Sequence, residues 1–152
     1  MTKIIIYTDG ACHIHKNQVG GWGAVLIYKD HKKEICGGER DTSNNRMELK
    51  ACIEALKCIT TTHIPVEIYS DSLYIVNCFN KGWYRNWLLN NWKTTKGRVK
   101  NVDLWKELIE LVEQQENITF FKVKAHSGIE LNDLADQLAN EGLEKTKIKY
   151  NL

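Results

Sequence analysis

Runs of apolar residues predict five strands along the chain. Each run is rich in β-branched or aromatic residues and is bounded by glycine, proline or polar residues. The first three runs follow one another closely, and the polar residues 29–31 join the second to the third as a hairpin. The predicted strands cover residues 4–8, 20–28, 32–39, 66–70 and 118–124.

Apolar residues spaced three or four positions apart predict helices between and after these strands. The first helix follows Thr42, Ser43 and Asn44, whose side chains can cap it. The basic stretch 145–152 is expected to form a disordered tail. The predicted helices cover residues 43–58, 72–80 and 102–116, with a last helix capped by Asn132.

The order of these elements predicts an α/β fold built on a five-stranded mixed sheet. The first three strands form an antiparallel meander, whereas the fourth and fifth run parallel to the first, because helices supply the crossovers that parallel neighbours require. A chain of 152 residues matches the size of one domain. In open sheets of this kind ligands bind beyond the carboxyl ends of the strands, so we expect the functional site there.

Four acidic residues are placed to form such a site. Asp9 and Asp71 follow the first and fourth strands, whereas Glu48 and Asp136 lie on helices beside apolar stripes. Any one of them alone could be a turn former, a helix cap or a surface charge. Together they would raise one another's pKa unless divalent cations kept them ionised. Because paired Mg²⁺ ions serve phosphoryl transfer, the pattern predicts a metal-dependent nuclease.

Composition and charge narrow the partners and the compartment. The net charge of +2 does not by itself indicate nucleic-acid binding, but residues 81–100 carry six basic residues, no acid and three of the five tryptophans. Cations interleaved with aromatic residues suit a phosphate backbone. No apolar run approaches the roughly 20 residues of a membrane span. Five cysteines without a paired C-x-x-C favour reduced thiols, and hence a cytoplasmic protein without a membrane partner.

Five motifs, in order along residues 3–142, resemble type 1 ribonuclease H. They are Tyr-Thr-Asp-Gly-Ala-Cys (7–12), Thr-Ser-Asn-Asn-Arg-Met-Glu-Leu (42–49), Tyr-Ser-Asp-Ser (69–72), Trp-Lys-Thr with Val-Lys-Asn-Val-Asp-Leu-Trp (92–94 and 99–105), and Val-Lys-Ala-His-Ser-Gly with Asn-Asp-Leu-Ala-Asp (123–128 and 132–136). The resemblance implies a ribonuclease-H-like fold in its stand-alone form, with a basic protrusion at about 81–100.

The resemblance further implies that a monomer hydrolyses the RNA strand of RNA–DNA hybrids and leaves 5′-phosphate and 3′-hydroxyl ends. His126 would assist proton transfer or product departure. Two Mg²⁺ ions, replaceable by Mn²⁺, would be held by four carboxylates: Asp9, Glu48, Asp71 and Asp136.

The substrate contacts are also carried over from the resemblance. Cys12, Asn44 and Asn45 would face the minor groove, where the 2′-hydroxyl distinguishes RNA from DNA. The basic protrusion would bind the DNA strand. Its tryptophans could equally form a small apolar core with the cations facing outward. Arg46 is either structural or phosphate-facing. The candidate residues of the protrusion are Trp83, Trp87, Trp92, Lys93, Lys96, Arg98 and Lys100.

Two features depart from the family pattern. The loop at 13–19 lacks the Gly/Pro-rich turn that family members carry, which puts contacts near Asn17 in doubt, and Leu73 stands where glutamine is frequent. The alternatives are a DNA-cleaving relative of the same superfamily, a hybrid-binding module without cleavage, and a ribonuclease H domain taken from a reverse transcriptase. The presence of all four acids and of His126 favours an active enzyme, and the start at Met1 favours a free protein.

Overall fold

Strands and helices alternate along the parts of the chain that the computed structural model describes, which are residues 2–13, 18–124 and 128–152. The strands in these parts are β1 (Ile4–Cys12), β2 (Gly20–Tyr28), β3 (His31–Glu39), β4 (Val66–Ser70), β5 (Lys93–Thr94), β6 (Gly97–Arg98) and β7 (Ile118–Lys122). The helices are α1 (Asn44–Lys57), α2 (Leu73–Asn80), α3 (Trp83–Leu89), α4 (Val102–Glu113) and α5 (Glu130–Lys149).

Five of the strands form one mixed sheet in the order β3-β2-β1-β4-β7. The β1–β2 and β2–β3 pairs are antiparallel, whereas β4 is parallel to β1 and β7 is parallel to β4. This arrangement confirms the predicted sheet. Alternation along the strands directs Ile6, Ile68 and Phe120, which are partners in register, into a core shared with α1 and α4. α5 packs on the opposite face, where Ala135 and Leu138 contact Val25.

β1 is longer than the sequence predicted. The pair Asp9-Gly10 does not turn the chain, because both residues remain in the ladder with β2 as partners of Gly23 and Trp22. Only the parallel pairing with β4 stops early, at Tyr7. The predicted end of β1 at residue 8 is therefore wrong for its pairing with β2. Asp9 lies inside the strand and not after it.

The C-terminal region also differs from the prediction. α5 continues to Lys149, so the expectation of a disordered tail is wrong for residues 145–149. Thr146 is buried against the sheet, and the guanidinium of Arg40 lies 4.3 Å from the ring centre of Tyr150. Asn132 does not cap the helix. It lies buried within α5, and its amide donates to the Lys124 carbonyl at 3.4 Å.

The tryptophan segment is helical at first and then forms a small hairpin. After α3, the strands β5 and β6 pair with each other. The indoles of Trp87 and Trp105 meet edge to face at 5.0 Å, and Trp92 lies 6.1 Å from Trp87. Trp87 and Trp92 are only 5% and 9% exposed. Both indoles therefore belong to the core and Trp83 is half-buried, while the substrate contacts assigned to these tryptophans stay a prediction.

Within the described ranges, none of the helices has both the length and the apolar character that crossing a bilayer requires.

Candidate active site

Asp9 and Asp71 meet at one edge of the sheet because the strands before them are in parallel register. β1 and β4 pair in parallel as far as Tyr7 and Tyr69. Each aspartate lies two residues beyond its paired tyrosine, so both carboxylates project past the last parallel pair. The Oδ1 atom of Asp9 accepts a hydrogen bond from the amide of Gly10 at 2.8 Å.

Glu48 reaches the two aspartates because α1 crosses β1 at a glycine. A Cβ atom at Gly10 would lie 2.6 Å from the Glu48 amide nitrogen and 2.7 Å from the carbonyl carbon of Met47. Only a residue without a side chain lets the helix backbone come this close. Ser43 begins the helix, since its hydroxyl accepts a hydrogen bond from the amide of the third helical residue at 3.2 Å. Glu48 is consequently buried beside β1, with 4% of its surface exposed.

Asp136 is brought to the site by α5, which also rests on a glycine. Gly23 is the ladder partner of Asp9, and a Cβ atom there would lie 2.5 Å from the Ala139 amide nitrogen and 2.7 Å from the Ala135 carbonyl oxygen. The helix backbone therefore lies directly on β2. The carboxyl of Asp136 lies within hydrogen-bonding reach of Asp9. Asp136 therefore lies beside Asp9, and the other three acids form the closer group described next.

The centre of the site fits a hard divalent cation. One ligand atom each from Asp9, Glu48 and Asp71 lies within 4.8 Å of the other two. The Oε2 atom of Glu48 is buried without a hydrogen-bond partner in the described part of the chain. A buried acceptor without a donor is costly, and a cation would satisfy it. A donor set made only of carboxylate oxygens suits Mg²⁺ or Mn²⁺ better than a softer metal.

Crowding makes these carboxyl groups difficult to ionise without a cation. Burial, followed by the charge of Asp71 and a hydrogen bond with Asp136, raises the pKa of Asp9 to about 7. Burial also raises the pKa of Glu48 well above its usual range, and the charges of Asp71 and Asp9 add to this effect. Metal ligands must be deprotonated, so protons and cations compete for the same oxygens.

The predicted minor-groove residues lie on the two elements that carry Asp9 and Glu48. Cys12 ends β1, and its thiol lies 3.8 Å from the carbonyl oxygen of Thr42, just before α1. Asn44 and Asn45 are exposed in the first turn of α1. Because Ser43 caps the helix, neither amide side chain is needed for capping. Burial raises the pKa of the Cys12 thiol, which keeps it neutral.

A groove of about 310 Å³ runs from the start of α1 to the basic hairpin, the name used here for β5, β6 and the turn between them. Its lining includes Asn45, Ser72, Lys96, Arg98 and Lys100. Lys93, Lys96, Arg98 and Lys100 are all exposed. Three of the predicted cations therefore line a groove that is also lined by Ser72, the residue after Asp71.

His126, predicted to assist catalysis, lies outside the described residues, and so does Asn17. Sequence reasoning missed three residues that hold the acids in place: Thr8, Gly10 and Gly23. Thr8 is fully buried, and its hydroxyl contacts the Tyr69 carbonyl oxygen at 3.5 Å, beneath the two aspartates. The glycines had a signal, because glycine inside a strand pattern indicates close approach of another backbone.

Comparison with known proteins identifies close relatives along nearly the whole chain. The family model for RNase H matches residues 1–144. A ribonuclease H of Caldanaerobacter subterraneus subsp. tengcongensis is 54% identical over 147 residues, which is 96% of this chain and 94% of that protein. A ribonuclease H of Clostridium botulinum is 47% identical over 151 residues, which is 97% of this chain and 100% of that protein.

Solved structures agree with the fold. LC9-RNase H1, a type 1 RNase H with the type 2 active-site motif, superposes with a TM-score of 0.84 at 26% identity, over 96% of this chain and 74% of that one. LC11-RNase H1, solved in complex with an RNA/DNA hybrid, gives a TM-score of 0.73 at 22% identity, over 94% of this chain and 98% of that one. The second likeness concerns the fold alone.

The sheet order and these superpositions define a ribonuclease H fold. The chain belongs to the ribonuclease H family, hydrolases that act on RNA in RNA–DNA hybrids. The family, the fold and the enzyme class predicted from the five motifs are thereby confirmed.

Proposed function

We propose that this protein is a metal-dependent endonuclease that cuts the RNA strand of RNA–DNA hybrids and leaves 5′-phosphate and 3′-hydroxyl ends. The observation that carries the proposal is the convergence of Asp9, Glu48 and Asp71 within 4.8 Å, together with a buried Glu48 oxygen that has no hydrogen-bond partner among the described residues. Placing carboxylates this close together does not stabilise the fold, since burial and the neighbouring charges raise the pKa values of Asp9 and Glu48. They are useful where cations and a phosphate must be held.

The chain's own residues would bind and orient the reacting groups. Asp9, Glu48 and Asp71 would hold the cations, and Asp136 would complete the ligand set beside Asp9. When bound, a pair of Mg²⁺ ions supplies an activated water and charge neutralisation at the departing oxygen. His126, by its place in the family motif, would accept or release the proton that accompanies product departure.

The substrate would lie across the site, with its RNA strand at the carboxylates and its DNA strand at the basic residues of the groove. Cys12 is on the strand of Asp9, and Asn44 and Asn45 are on the helix of Glu48, so these side chains would recognise the 2′-hydroxyl of an RNA strand. Lys96, Arg98 and Lys100 line the groove, where a second backbone would meet positive charge. Phosphate contacts of this kind position a substrate without reading its sequence, so little sequence preference is expected.

We further propose that the ions are Mg²⁺, with Mn²⁺ as a substitute, and that the protein works as a monomer in the cytoplasm. The all-oxygen ligand set supports the choice of ions. The five cysteines are unpaired thiols, which suits a reducing compartment.

The test is incubation with Mg²⁺ and four end-labelled substrates: an RNA–DNA hybrid, duplex DNA, duplex RNA and single-stranded RNA. We expect cleavage only of the RNA in the hybrid, with 5′-phosphate ends on the products, and none in Asp71→Asn. Cleavage of duplex DNA would indicate a different nuclease. Binding of the hybrid without cleavage would indicate a binding module.

A further inference from the structure

Arg46 connects the catalytic helix to the chain that leaves the basic hairpin. Its guanidinium donates two parallel hydrogen bonds to the carboxylate of Asp103, at 3.1 and 3.0 Å. It also donates to the amide oxygen of Asn101 at 3.3 Å and lies 3.6 Å from a carboxylate oxygen of Glu39. Asn101 immediately precedes α4, and Asp103 lies in the first turn of that helix. The bidentate pair with Asp103 is the strong form of an arginine–carboxylate contact.

Two members of this contact, Arg46 and Asn101, are in locally unfavourable positions. Arg46 is the third residue of α1, where the positive end of the helix dipole disfavours a cation. Asn101 precedes α4 with a φ of 60° and makes no capping hydrogen bond with its side chain, although asparagine is a good cap. Both residues give up local stability and meet each other instead. Such violations of local preference point to a functional requirement.

The basic hairpin ends a few residues before this contact. Its base is tied to the core by the Val99 amide, which donates to the Trp92 carbonyl at 2.8 Å, and both residues are buried. Only Lys100 separates Val99 from Asn101. Arg46 in turn lies two residues before Glu48 on α1. Arg46 therefore links the helix that carries Glu48 to the segment that follows the hairpin.

We propose that Arg46 is a positioning residue that sets the spacing between the basic hairpin and the active-site carboxylates, so that a hybrid held by the hairpin presents its RNA strand to the acids. This inference rests on the proposed function, since it assumes that the hairpin holds the substrate. It assigns Arg46 to alignment and not to a phosphate contact. Without the bridge, Arg98 would still be present but would no longer contribute fully to productive binding.

The fold offers a matched control for this bridge. Lys57 also joins α1 to α4, through an ion pair with Glu107 at 3.0 Å. It lies eleven residues after Arg46 on α1, about 16 Å along the helix axis and away from the hairpin. Breaking either pair disturbs the same two helices, but only the pair at Arg46 lies beside the groove.

The experiment is a double-mutant cycle on kcat and KM for one defined hybrid with Mg²⁺. Arg98→Gln is made alone, with Arg46→Met and with Lys57→Met. We expect Arg98→Gln to raise KM about tenfold alone and in the Lys57→Met protein, but only about twofold in the Arg46→Met protein. Asp103→Asn removes the same bridge from its other side and should reproduce the result of Arg46→Met.

Equal effects of Arg98→Gln in all backgrounds would overturn the proposal, because a merely structural arginine gives additive losses. The proposal is also overturned if both Arg46→Met and Asp103→Asn abolish folding, as followed by circular dichroism, because the bridge would then serve the fold itself. If the unsubstituted protein does not cut the hybrid, the proposed function fails first. If the unsubstituted protein cuts the hybrid but the effects of the substitutions are additive, the proposed function stands and only the role of Arg46 is contradicted.

Discussion

Gly23 lies opposite Asp9 in the β1–β2 ladder, and the backbone of α5 rests on it. The residue that faces Asp9 on the neighbouring strand thus sets how closely Asp136 approaches. The same arrangement recurs at Gly10, where α1 brings Glu48 close to β1. Two helices on opposite faces of the sheet therefore reach one site because each crosses a strand at a residue without a side chain.

Gly23→Ala should impair the site through the position of α5. An added Cβ atom would lie 2.5 Å from the Ala139 amide nitrogen, so the helix must move outward and carry Asp136 with it. We expect a lower kcat and a higher Mg²⁺ requirement, with a loss of about 1–3 kcal/mol in the free energy of unfolding. Mg²⁺ titration of the cleavage rate and thermal unfolding measure the two effects.

Gly38→Ala is the control for this substitution. Its Cβ atom would lie 2.4 Å from the Thr146 hydroxyl, against the same helix but near its C-terminal end. It should lower stability while leaving the Mg²⁺ requirement unchanged. An equal change in Mg²⁺ requirement for both variants would show that general loosening of α5, and not the position of Asp136, explains the loss.

Asp71→Asn should abolish cleavage and at the same time stabilise the metal-free protein. The substitution keeps the size of the side chain but removes the charge that raises the pKa of Asp9 and Glu48. In EDTA at pH 8 we expect a higher unfolding temperature, at about 2–4 °C for each kcal/mol of relieved repulsion. Asp30→Asn, on a side chain that is 94% exposed, is the control and should change neither property. Substantial Mg²⁺-dependent turnover by Asp71→Asn would contradict its assignment as a ligand.

The pKa of Asp9 predicts opposite pH dependences for stability and for activity. It is raised from 3.8 to about 7 in the folded protein, so between these values the folded state binds more protons than the unfolded state. The contribution of Asp9 to the free energy of unfolding of the metal-free protein should therefore be complete below about pH 4. It should be lost as the pH rises towards 7. Cleavage should change the other way, because ionised Asp9 is needed to bind cations.

Unfolding in EDTA and in Mg²⁺ across this pH range measures the effect. We expect the two unfolding temperatures to diverge as the pH rises, since Mg²⁺ replaces the lost protons. In Asp9→Asn the metal-free curve should be flatter. A difference between EDTA and Mg²⁺ that does not depend on pH would contradict competition between protons and cations at these oxygens.

The sequence predicted the sheet and the four acids because both depend on local patterns. The residues before Asp9 and Asp71 form apolar strands of fixed direction, and parallel strands place their ends at one edge. The length of β1 was missed because the Asp-Gly pair commonly turns a chain, and nothing local indicated that β2 would hold it in a ladder. Pairing with β2, and not the local sequence, therefore determined where β1 ends.

Side chains with two plausible environments were not resolved by sequence. Trp87 lies in a basic segment and could have stacked on a substrate, yet Trp105 from α4 buries it. Arg46 meets Asp103 across 57 positions, a separation for which a single sequence has no signal. The last helix was ended too early because its final turns carry lysines, although Thr146 keeps one side of them buried.

Neutralising Lys96, Arg98 and Lys100 together should weaken hybrid binding and reduce its salt dependence. These side chains are exposed along the groove, where binding to a phosphate would release a counterion. For a duplex, the slope of log K against log salt falls by about 0.9 for each phosphate that the protein no longer neutralises. The three glutamine substitutions are measured in the Asp71→Asn background, which holds the substrate intact.

The control removes equal charge elsewhere. Lys29, Lys32 and Lys33 lie around the turn between β2 and β3, where the ladder is paired with the start of β1 and not with Asp9. Substituting these three lysines by glutamine should change the slope little, because they lie away from the groove. If both triple variants reduce the slope equally, the net charge of the protein governs binding, and the hairpin has no specific hold on the hybrid. A reduction confined to the hairpin variant places the phosphate contacts on Lys96, Arg98 and Lys100.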